Sequence, residues 1–204
     1  EIKQVDDAMR DFDEAIKLEP NFYVNFYNRA NAYFSLTNYE FAILDCNESI
    51  RLNPTDDGSF MCRGASKYYL DKKIEALKDL NIAIQYDSKN SVAFYYRGVL
   101  KRKLEIYQDS IEDLTKAIQI DPSVASYFYQ RGLTYKSLGQ NEKARKDLDT
   151  FENVDYTLHT LKLLEEIQVN RNNTLKFKNR FSKLNFLEGK IANIVTLIKM
   201  KGKK

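Results

Sequence analysis

A period of 34 residues runs through most of this chain and restricts what it can fold into. When the segments that begin at Tyr23, Asp57, Ser91 and Ala125 are aligned, the same residue types recur in the same columns. The clearest columns are Phe26, Phe60, Phe94 and Phe128; Arg29, Arg63, Arg97 and Arg131; Leu36, Leu70, Leu104 and Leu138; and Asp45, Asp79, Asp113 and Asp147. Self-similarity at such a period indicates a repeat array, in which stacked copies of one unit share a continuous core.

Each unit carries two apolar stripes at helical spacing. In the first unit, Phe26, Ala30 and Tyr33 are four and three residues apart, which places them on one face of a helix. A second stripe follows in the same unit: Ala42, Cys46, Ser49 and Ile50. The small residue at Ala30, which later units replace with glycine, lets two helices approach closely. Pro54 and Pro122 mark turns between units, because proline does not continue a helix.

These columns resemble the tetratricopeptide repeat, a helix–turn–helix unit of 34 residues. The phenylalanine column stands where that family often has tryptophan, and glycine or alanine stands at its small-residue position. Tyr33 and Tyr135 match the family's tyrosine, whereas Lys67 and Lys101 depart from it. The resemblance covers about residues 5–156. It implies an all-α fold, a right-handed superhelical solenoid of antiparallel helix pairs.

The repeat predicts the organisation of the chain. We expect residues 1–22 to contain the second helix of an incomplete first unit, and four units to occupy 23–56, 57–90, 91–124 and 125–156. A C-terminal capping helix over 157–170 and a long basic amphipathic helix over 171–204 follow. The apolar face around Ala8 and Phe12 lacks the first helix of its own unit, so we expect upstream sequence or a partner to cover it.

Composition argues against several classes of function. The chain has one histidine, His159, and two cysteines sixteen positions apart, Cys46 and Cys62, so we predict no metal site and no cofactor. We find no glycine-rich phosphate loop and no nucleophile–base pair, and we predict that the chain is not an enzyme. The low cysteine content favours an intracellular, most simply cytoplasmic, location. No apolar run approaches the roughly 18–20 residues of a membrane span.

The arginine and aspartate columns are charged in every unit and have two interpretations. They could contact a ligand, or they could form ion pairs that fix helix packing within a unit or between neighbours. A residue that recurs in every unit serves the scaffold more readily than a single ligand. We therefore interpret both columns as structural.

Binding residues are expected where the units differ. A second stripe on each first helix faces the inner curve of the implied superhelix. It is aromatic in the middle and basic near its end, at Arg102, Lys103 and Lys136. Tyrosine supplies contact area and a hydrogen bond, and it is enriched at interfaces. The predicted partner-binding residues are Tyr27, Asn28, Asn31, Phe34, Met61, Tyr68, Tyr95, Val99, Tyr129 and Leu133. The alternative is that these tyrosines only pack against adjacent helices.

Some proteins of this family hold the C-terminal carboxylate of heat-shock chaperones with a clamp of lysine, asparagine and arginine. Asn28 matches one asparagine of that clamp, but the next cationic positions fall on Gly58 and Cys62. Charge-assisted capture of a carboxylate needs those cations. We therefore do not expect binding of a chaperone tail.

The tail of the chain differs from the body in charge. Residues 171–204 contain ten Lys/Arg and one acid, a net charge of +9, whereas the rest carries 22 Lys/Arg and 28 acids, a net charge of −6. A basic amphipathic helix docks on an acidic protein surface, on an anionic membrane or on nucleic acid. We predict docking on protein, with the other two as alternatives, through Phe181, Leu184, Ile191 and Ile194.

These features predict an interaction scaffold or adaptor that binds a partner's peptide or helix within a larger multiprotein complex. Two alternatives stay open. The chain could be a regulatory or targeting domain of an enzyme whose catalytic part lies elsewhere. It could also bind nucleic acid or a membrane surface through its basic tail.

Overall fold

The computed structural model describes residues 2–154, with side chains from residue 6 onward, and all regular secondary structure in this part of the chain is helical. The helices are α1 (Ile2–Leu18), α2 (Tyr23–Ser35), α3 (Tyr39–Leu52), α4 (Asp57–Tyr69), α5 (Lys73–Tyr86), α6 (Ser91–Lys103), α7 (Tyr107–Ile120), α8 (Ala125–Ser137) and α9 (141–154, where the described residues end). The all-α array of helix pairs predicted from the sequence is confirmed. The predicted capping helix and basic helix, with Phe181, Leu184, Ile191 and Ile194, lie outside the described residues.

The helix pairs stack so that their first helices touch in series. Helix α2 contacts α4, α4 contacts α6, and α6 contacts α8, whereas α3, α5 and α7 have no contacts with one another. Helix α1 packs on α2, and Phe12 on it is half-buried. None of the described helices has the length and apolarity needed to cross a membrane. The first helices therefore form one continuous surface, which we call the first-helix surface.

Within a unit, close approach of the two helices depends on a glycine opposite a leucine. A Cβ atom on Gly98 in α6 would lie 2.8 Å from Leu114 Cγ in α7, and the equivalent distance in the second unit is 2.9 Å. The first unit has Ala30 in place of the glycine, and there the leucine position is Cys46. Both residues are fully buried. A larger residue on one helix is thus matched by a smaller residue on the other, which preserves close packing.

An arginine on each first helix joins three helices. Arg97 donates from Nε and Nη2 to the two carboxylate oxygens of Asp113 in α7, at 2.9 and 2.6 Å. Its Nη1 donates to Asn81 Oδ1 of α5, in the preceding unit, at 2.9 Å. The other three arginines repeat this arrangement: Arg29 bonds Asp45 and Asp13, Arg63 bonds Asp79 and Asn47, and Arg131 bonds Asp147 and Thr115. The predicted pairing of the arginine column with the aspartate column is confirmed.

The two lysines that depart from the repeat pattern join the same ion pairs. Lys67 Nζ lies 2.8 Å from Asp79 Oδ2, and Lys101 Nζ lies 2.9 Å from Asp113 Oδ2. Each of these aspartates is therefore shared between an arginine and a lysine. The aspartates are only 5–6% exposed, so the second cation helps to compensate the desolvation of a buried carboxylate.

Two residues after the end of each first helix, the chain has a residue with a left-handed backbone. The φ angles are close to +60° at Thr37, Asp71 and Glu105, and 71° at Gly139. At the first of these ends, Thr37 N–H donates to Phe34 O, and the next residue's N–H donates to Tyr33 O at 2.9 Å. This is the Schellman arrangement, which favours glycine because other L-residues are sterically strained at positive φ. Three of the four units have a residue other than glycine at this position, so their backbone is strained there.

The strain predicts opposite effects at equivalent positions. Thr37→Gly should raise the free energy of unfolding by about 1 kcal/mol, and Gly139→Ala should lower it by a similar amount. Nothing lies within 4 Å of a Cβ placed on Gly139, so the loss there would be conformational. Urea unfolding followed by circular dichroism measures both changes. Gln119→Gly, at an exposed helical position, is the control and should destabilise. If Gln119→Gly also raised the free energy of unfolding, strain at positive φ would not explain the effect of Thr37→Gly.

The bridging arginines predict a large loss of stability on truncation. Arg97→Ala should lower the free energy of unfolding by about 2–4 kcal/mol, because it leaves a buried carboxylate with one cation instead of two. Arg51→Ala is the matched control, because its pair with Glu48 is exposed. It should cost no more than about 1 kcal/mol. Equal losses in the two variants would refute a special structural role for Arg97.

Candidate partner-binding surface

An aromatic cluster lies on the first-helix surface and crosses three units. Its members come from α2, α4 and α6 and from the first residue of α3, and they are Phe34, Tyr39, Tyr68, Tyr69, Tyr95 and Tyr96. Ring centroids are 5.7 Å apart for Phe34 and Tyr69, and 6.2 Å apart for Tyr69 and Tyr96. Tyr39 stacks on Tyr69 at 4.7 Å with an interplanar angle of 4°. The rings therefore form one connected layer rather than separate pairs.

The rings of this cluster differ in exposure. Tyr69 is 50% exposed, while the other five are half-buried. At the α8 side, Tyr95 lies 5.1 Å from the buried ring of Tyr127, whose hydroxyl is 3.2 Å from Ser91 Oγ. The half-buried rings hold one another in place, mostly in edge-to-face contacts that aromatic groups prefer. The cluster thus presents a rigid, partly exposed apolar surface with phenol groups.

Burial keeps two phenols of the cluster, those of Tyr95 and Tyr96, neutral over a wide pH range. It raises the pKa of Tyr95 and, more strongly, the pKa of Tyr96 above the usual value near 10. Burial likewise raises the pKa of Tyr27 and Tyr127. A neutral phenol both donates and accepts hydrogen bonds. These groups can therefore bond either the N–H or the carbonyl group of a peptide backbone.

Two adjacent cations lie at the end of α6, and one of them contacts the aromatic cluster. Lys103 Nζ lies 4.1 Å from the centre of the Tyr68 ring. Arg102 Nη2 donates to Gln130 Oε1 in α8 at 3.0 Å, whereas Arg102 Nε is buried and has no hydrogen-bond partner among the described residues. We refer to Arg102 and Lys103 as the cationic edge.

The ten partner-binding residues predicted from the sequence all lie on α2, α4, α6 or α8. Phe34, Tyr68 and Tyr95 belong to the aromatic cluster. Val99 is only 3% exposed, so it contributes to packing rather than to accessible surface. Tyr129 is 38% exposed and packs beside Phe151 of α9 at 5.1 Å. The remaining residues lie half-buried or exposed along the same helices: Tyr27, Asn28, Asn31, Met61 and Leu133.

Sequence reasoning left three members of the aromatic cluster out of the predicted set: Tyr39, Tyr69 and Tyr96. Two of them directly follow predicted residues, Tyr68 and Tyr95. Adjacent positions on a helix are about 100° apart, so a pair of neighbouring tyrosines spans a wide face and reaches the next helix. The adjacent tyrosines in the sequence could therefore have indicated Tyr69 and Tyr96 as members of the cluster. Tyr39 begins a second helix, and the sequence carries no indication of its stacking on Tyr69.

The positions of the chaperone-tail clamp carry no cation in this structure. A Cβ on Gly58 would lie 2.9 Å from the ring of Tyr27, so that ring occupies the space beside the glycine. Cys62 is 2% exposed. Its neighbour Cys46 has its thiol pKa raised by a hydrogen bond with Cys62 and by burial. Because the thiolate is the reactive form of cysteine, the raised pKa makes Cys46 a poor nucleophile, and both cysteines are buried in the core.

Comparison with known proteins identifies the repeat. Residues 26–56 and 125–153 match models of the tetratricopeptide repeat. No curated sequence matches the chain at a significant level. Among solved structures, MamA is 21% identical over 76% of this chain and 91% of its own, with a TM-score of 0.65. At this identity the likeness concerns the fold.

Of two further structures with the same fold, one is described as having a peptide-binding site and the other holds a peptide. YrrB, a tetratricopeptide-repeat protein "with an unusual peptide-binding site", is 21% identical over 79% of this chain and 85% of its own, with a TM-score of 0.59. The first such domain of Spaghetti (RPAP3), bound to the HSP90 peptide SRMEEVD, is 18% identical over 57% of this chain and 93% of its own, with a TM-score of 0.55.

The buried phenol of Tyr96 predicts a pH dependence of stability. Its pKa is higher in the folded chain than the value near 10 of an unfolded tyrosine. The folded state therefore binds this proton more tightly, and the associated stability is present below about pH 10 and declines above it. Tyr96→Phe should make that decline shallower in urea unfolding between about pH 8 and 11. Tyr86→Phe, at a 46% exposed position, is the control for the substitution itself. Identical profiles for wild type and Tyr96→Phe would contradict this assignment.

Proposed function

Because this chain is a tetratricopeptide-repeat protein, we propose that it is a protein-interaction scaffold that binds a partner's peptide or helix on the first-helix surface. The observation that supports this most directly is the aromatic cluster, which crosses three units and leaves Tyr69 half-exposed. Partly exposed tyrosines on a rigid support are typical of interface residues that contribute much of the binding energy.

The physical basis for recognition is a preorganised apolar surface. The buried ion pairs from Arg29, Arg63 and Arg97 hold the helices that carry the cluster. The ring contacts between neighbouring helices restrict the side chains further. A partner that covers Tyr69 and the exposed edges of the neighbouring rings buries apolar surface. Because the scaffold is already ordered, binding does not have to order it. Preorganisation of this kind lowers the entropic cost of binding.

Two structural neighbours support a peptide as the type of partner. The RPAP3 domain holds an HSP90 peptide, and YrrB is described as having a peptide-binding site. Our proposal for this chain transfers the type of ligand and not the residues that contact it. Gly58 and Cys62 offer no charge to a terminal carboxylate, so the recognition we propose is mainly aromatic.

We place the chain inside the cell, as a non-catalytic subunit of a larger assembly. An array of interaction units with no catalytic role of its own suits an adaptor that holds other chains together. The basic tail remains a candidate for a second contact with an acidic protein surface, and it lies outside the described residues. Its charge of +9 is the basis for that expectation.

Peptide selection tests the proposed site. Short random peptides displayed on phage are selected on the full chain, and an enriched peptide is then synthesised and its affinity measured by fluorescence anisotropy. Tyr69→Ala and Tyr95→Ala should each weaken its binding by about ten-fold or more, or about 1–3 kcal/mol, because each removes a ring from the contact. Tyr86→Ala is the matched control, since Tyr86 is 46% exposed but lies on the second helix α5.

The two sets of variants separate the possible outcomes. Equal affinities for wild type, Tyr69→Ala and Tyr95→Ala would move the binding site away from the aromatic cluster. A loss in Tyr86→Ala as large as in the others would indicate a general effect on folding. Circular dichroism of each variant establishes that the folded fraction is comparable before affinities are compared.

A further inference from the structure

The cations of the first helices fall into two groups. One group is neutralised, since each member has a carboxylate partner, and it comprises Arg29, Arg63, Lys67, Arg97, Lys101 and Arg131. The other group has no carboxylate partner among the described residues and comprises Arg102, Lys103 and Lys136. The first group holds the array together. The charge of the second group is not neutralised by a carboxylate in the described part of the chain, so it is available to a ligand.

Arg102 has hydrogen-bonding capacity that the chain does not satisfy. Within residues 2–154, its guanidinium makes one hydrogen bond, to Gln130 Oε1, which is a neutral acceptor. Its Nε–H is buried and has no acceptor in the described part of the chain. Buried donors are nearly always paired, because an unpaired one loses its hydration without compensation. The guanidinium's Nη1 has no hydrogen-bond partner among the described residues and is not fully buried, so it is the donor that an acceptor from outside the chain, above all a carboxylate, can reach.

Lys103 connects this unsatisfied charge to the aromatic cluster. Its ammonium lies over the face of the Tyr68 ring, at 4.1 Å, and the lysine itself is exposed. Tyr68 is in turn 5.1 Å from Tyr69, the most exposed ring of the cluster. A ligand that lies across Tyr69 and Tyr68 therefore reaches the cationic edge within the length of a few residues.

We propose that the first-helix surface recognises an acidic peptide segment, whose apolar side chains lie on the aromatic cluster and whose Asp or Glu side chain pairs with Arg102 and Lys103. This inference rests on the proposed function and specifies the chemistry of the partner. The Arg102 guanidinium receives the carboxylate, and Lys103 adds a second positive charge beside it. Apolar contact supplies the area, and the carboxylate fixes the register of the peptide.

Charge distinguishes this partner from other occupants of the surface. The basic tail of the chain, with a net charge of +9, would bring like charge to Arg102 and Lys103. A nucleic acid carries negative charge along its whole length, whereas residues 1–170 have a net charge of −6 and the cationic edge has only two side chains. A short segment with one or two acids matches this small area of positive charge. A long polyanion would also meet the negative charge of the rest of the body, which repels it.

The test compares the peptides selected by three forms of the full chain. Random phage-displayed peptides are selected on wild type, on Arg102→Gln/Lys103→Gln, and on the control Lys116→Gln/Arg145→Gln, which removes the same charge at exposed positions of α7 and α9. Wild type and the control should enrich peptides that combine apolar residues with Asp or Glu. The Arg102→Gln/Lys103→Gln chain should lose the enrichment of acids and retain the apolar residues.

One enriched peptide is then synthesised with its acids and with Asn or Gln in their place. Removing the acids should weaken binding to wild type by about ten-fold or more, and Arg102→Gln/Lys103→Gln should weaken binding of the acidic peptide by a similar factor. The two changes together should cost little beyond either alone, because they remove the same interaction. The peptide substitution is made on the partner, so it gives an answer even if the protein variant is unstable.

The outcomes separate this inference from the function it rests on. Enriched peptides that need Tyr69 and Tyr95 but contain no excess of acids would overturn the inference and leave the proposed function intact. So would an acidic peptide whose affinity is unchanged by Arg102→Gln/Lys103→Gln. Enrichment of peptides that bind Tyr69→Ala and Tyr95→Ala as well as wild type would overturn the proposed function itself.

Discussion

The bidentate pairing of one arginine with one aspartate in each unit is the interaction on which this structure depends. The guanidinium closes its own helix pair through the aspartate and binds the second helix of the preceding unit through its remaining Nη1. A single planar group thus sets both the geometry within a unit and the step between units. Because this contact recurs every 34 residues, any surface built on the first helices inherits a regular and rigid spacing.

This constant framework leaves other positions of the first helices free to vary. The column that contains Phe34, Tyr68, Arg102 and Lys136 changes from aromatic to basic along the chain, while the arginine column does not change at all. The array therefore presents a gradient of chemistry on one continuous surface, with the aromatic cluster on one side and the cationic edge beside it. Specificity in such a protein comes from the order of its units rather than from one specialised pocket.

Sequence reasoning was most successful where the physical cause is local or periodic. The helical stripes, the small residues and the arginine–aspartate pairs follow from spacing, because the 34-residue period brings equivalent side chains to equivalent places. The stacking of Tyr39 on Tyr69 depends on rotamers and on packing between units, which spacing does not specify. Val99 illustrates the same limit: a first helix is covered by neighbours on more than one side, so a residue beside the core stripe is buried as well.

The matched sizes of facing residues have a consequence for how such a gene can change. The first unit pairs Ala30 with Cys46, whereas the third pairs Gly98 with Leu114. A recombination event inside a unit would join the first helix of one to the second helix of another. One product would force a methyl group against leucine, and the other would leave a void beside cysteine. Exchange at unit boundaries keeps each pair intact, so selection favours duplication, loss or shuffling of whole units.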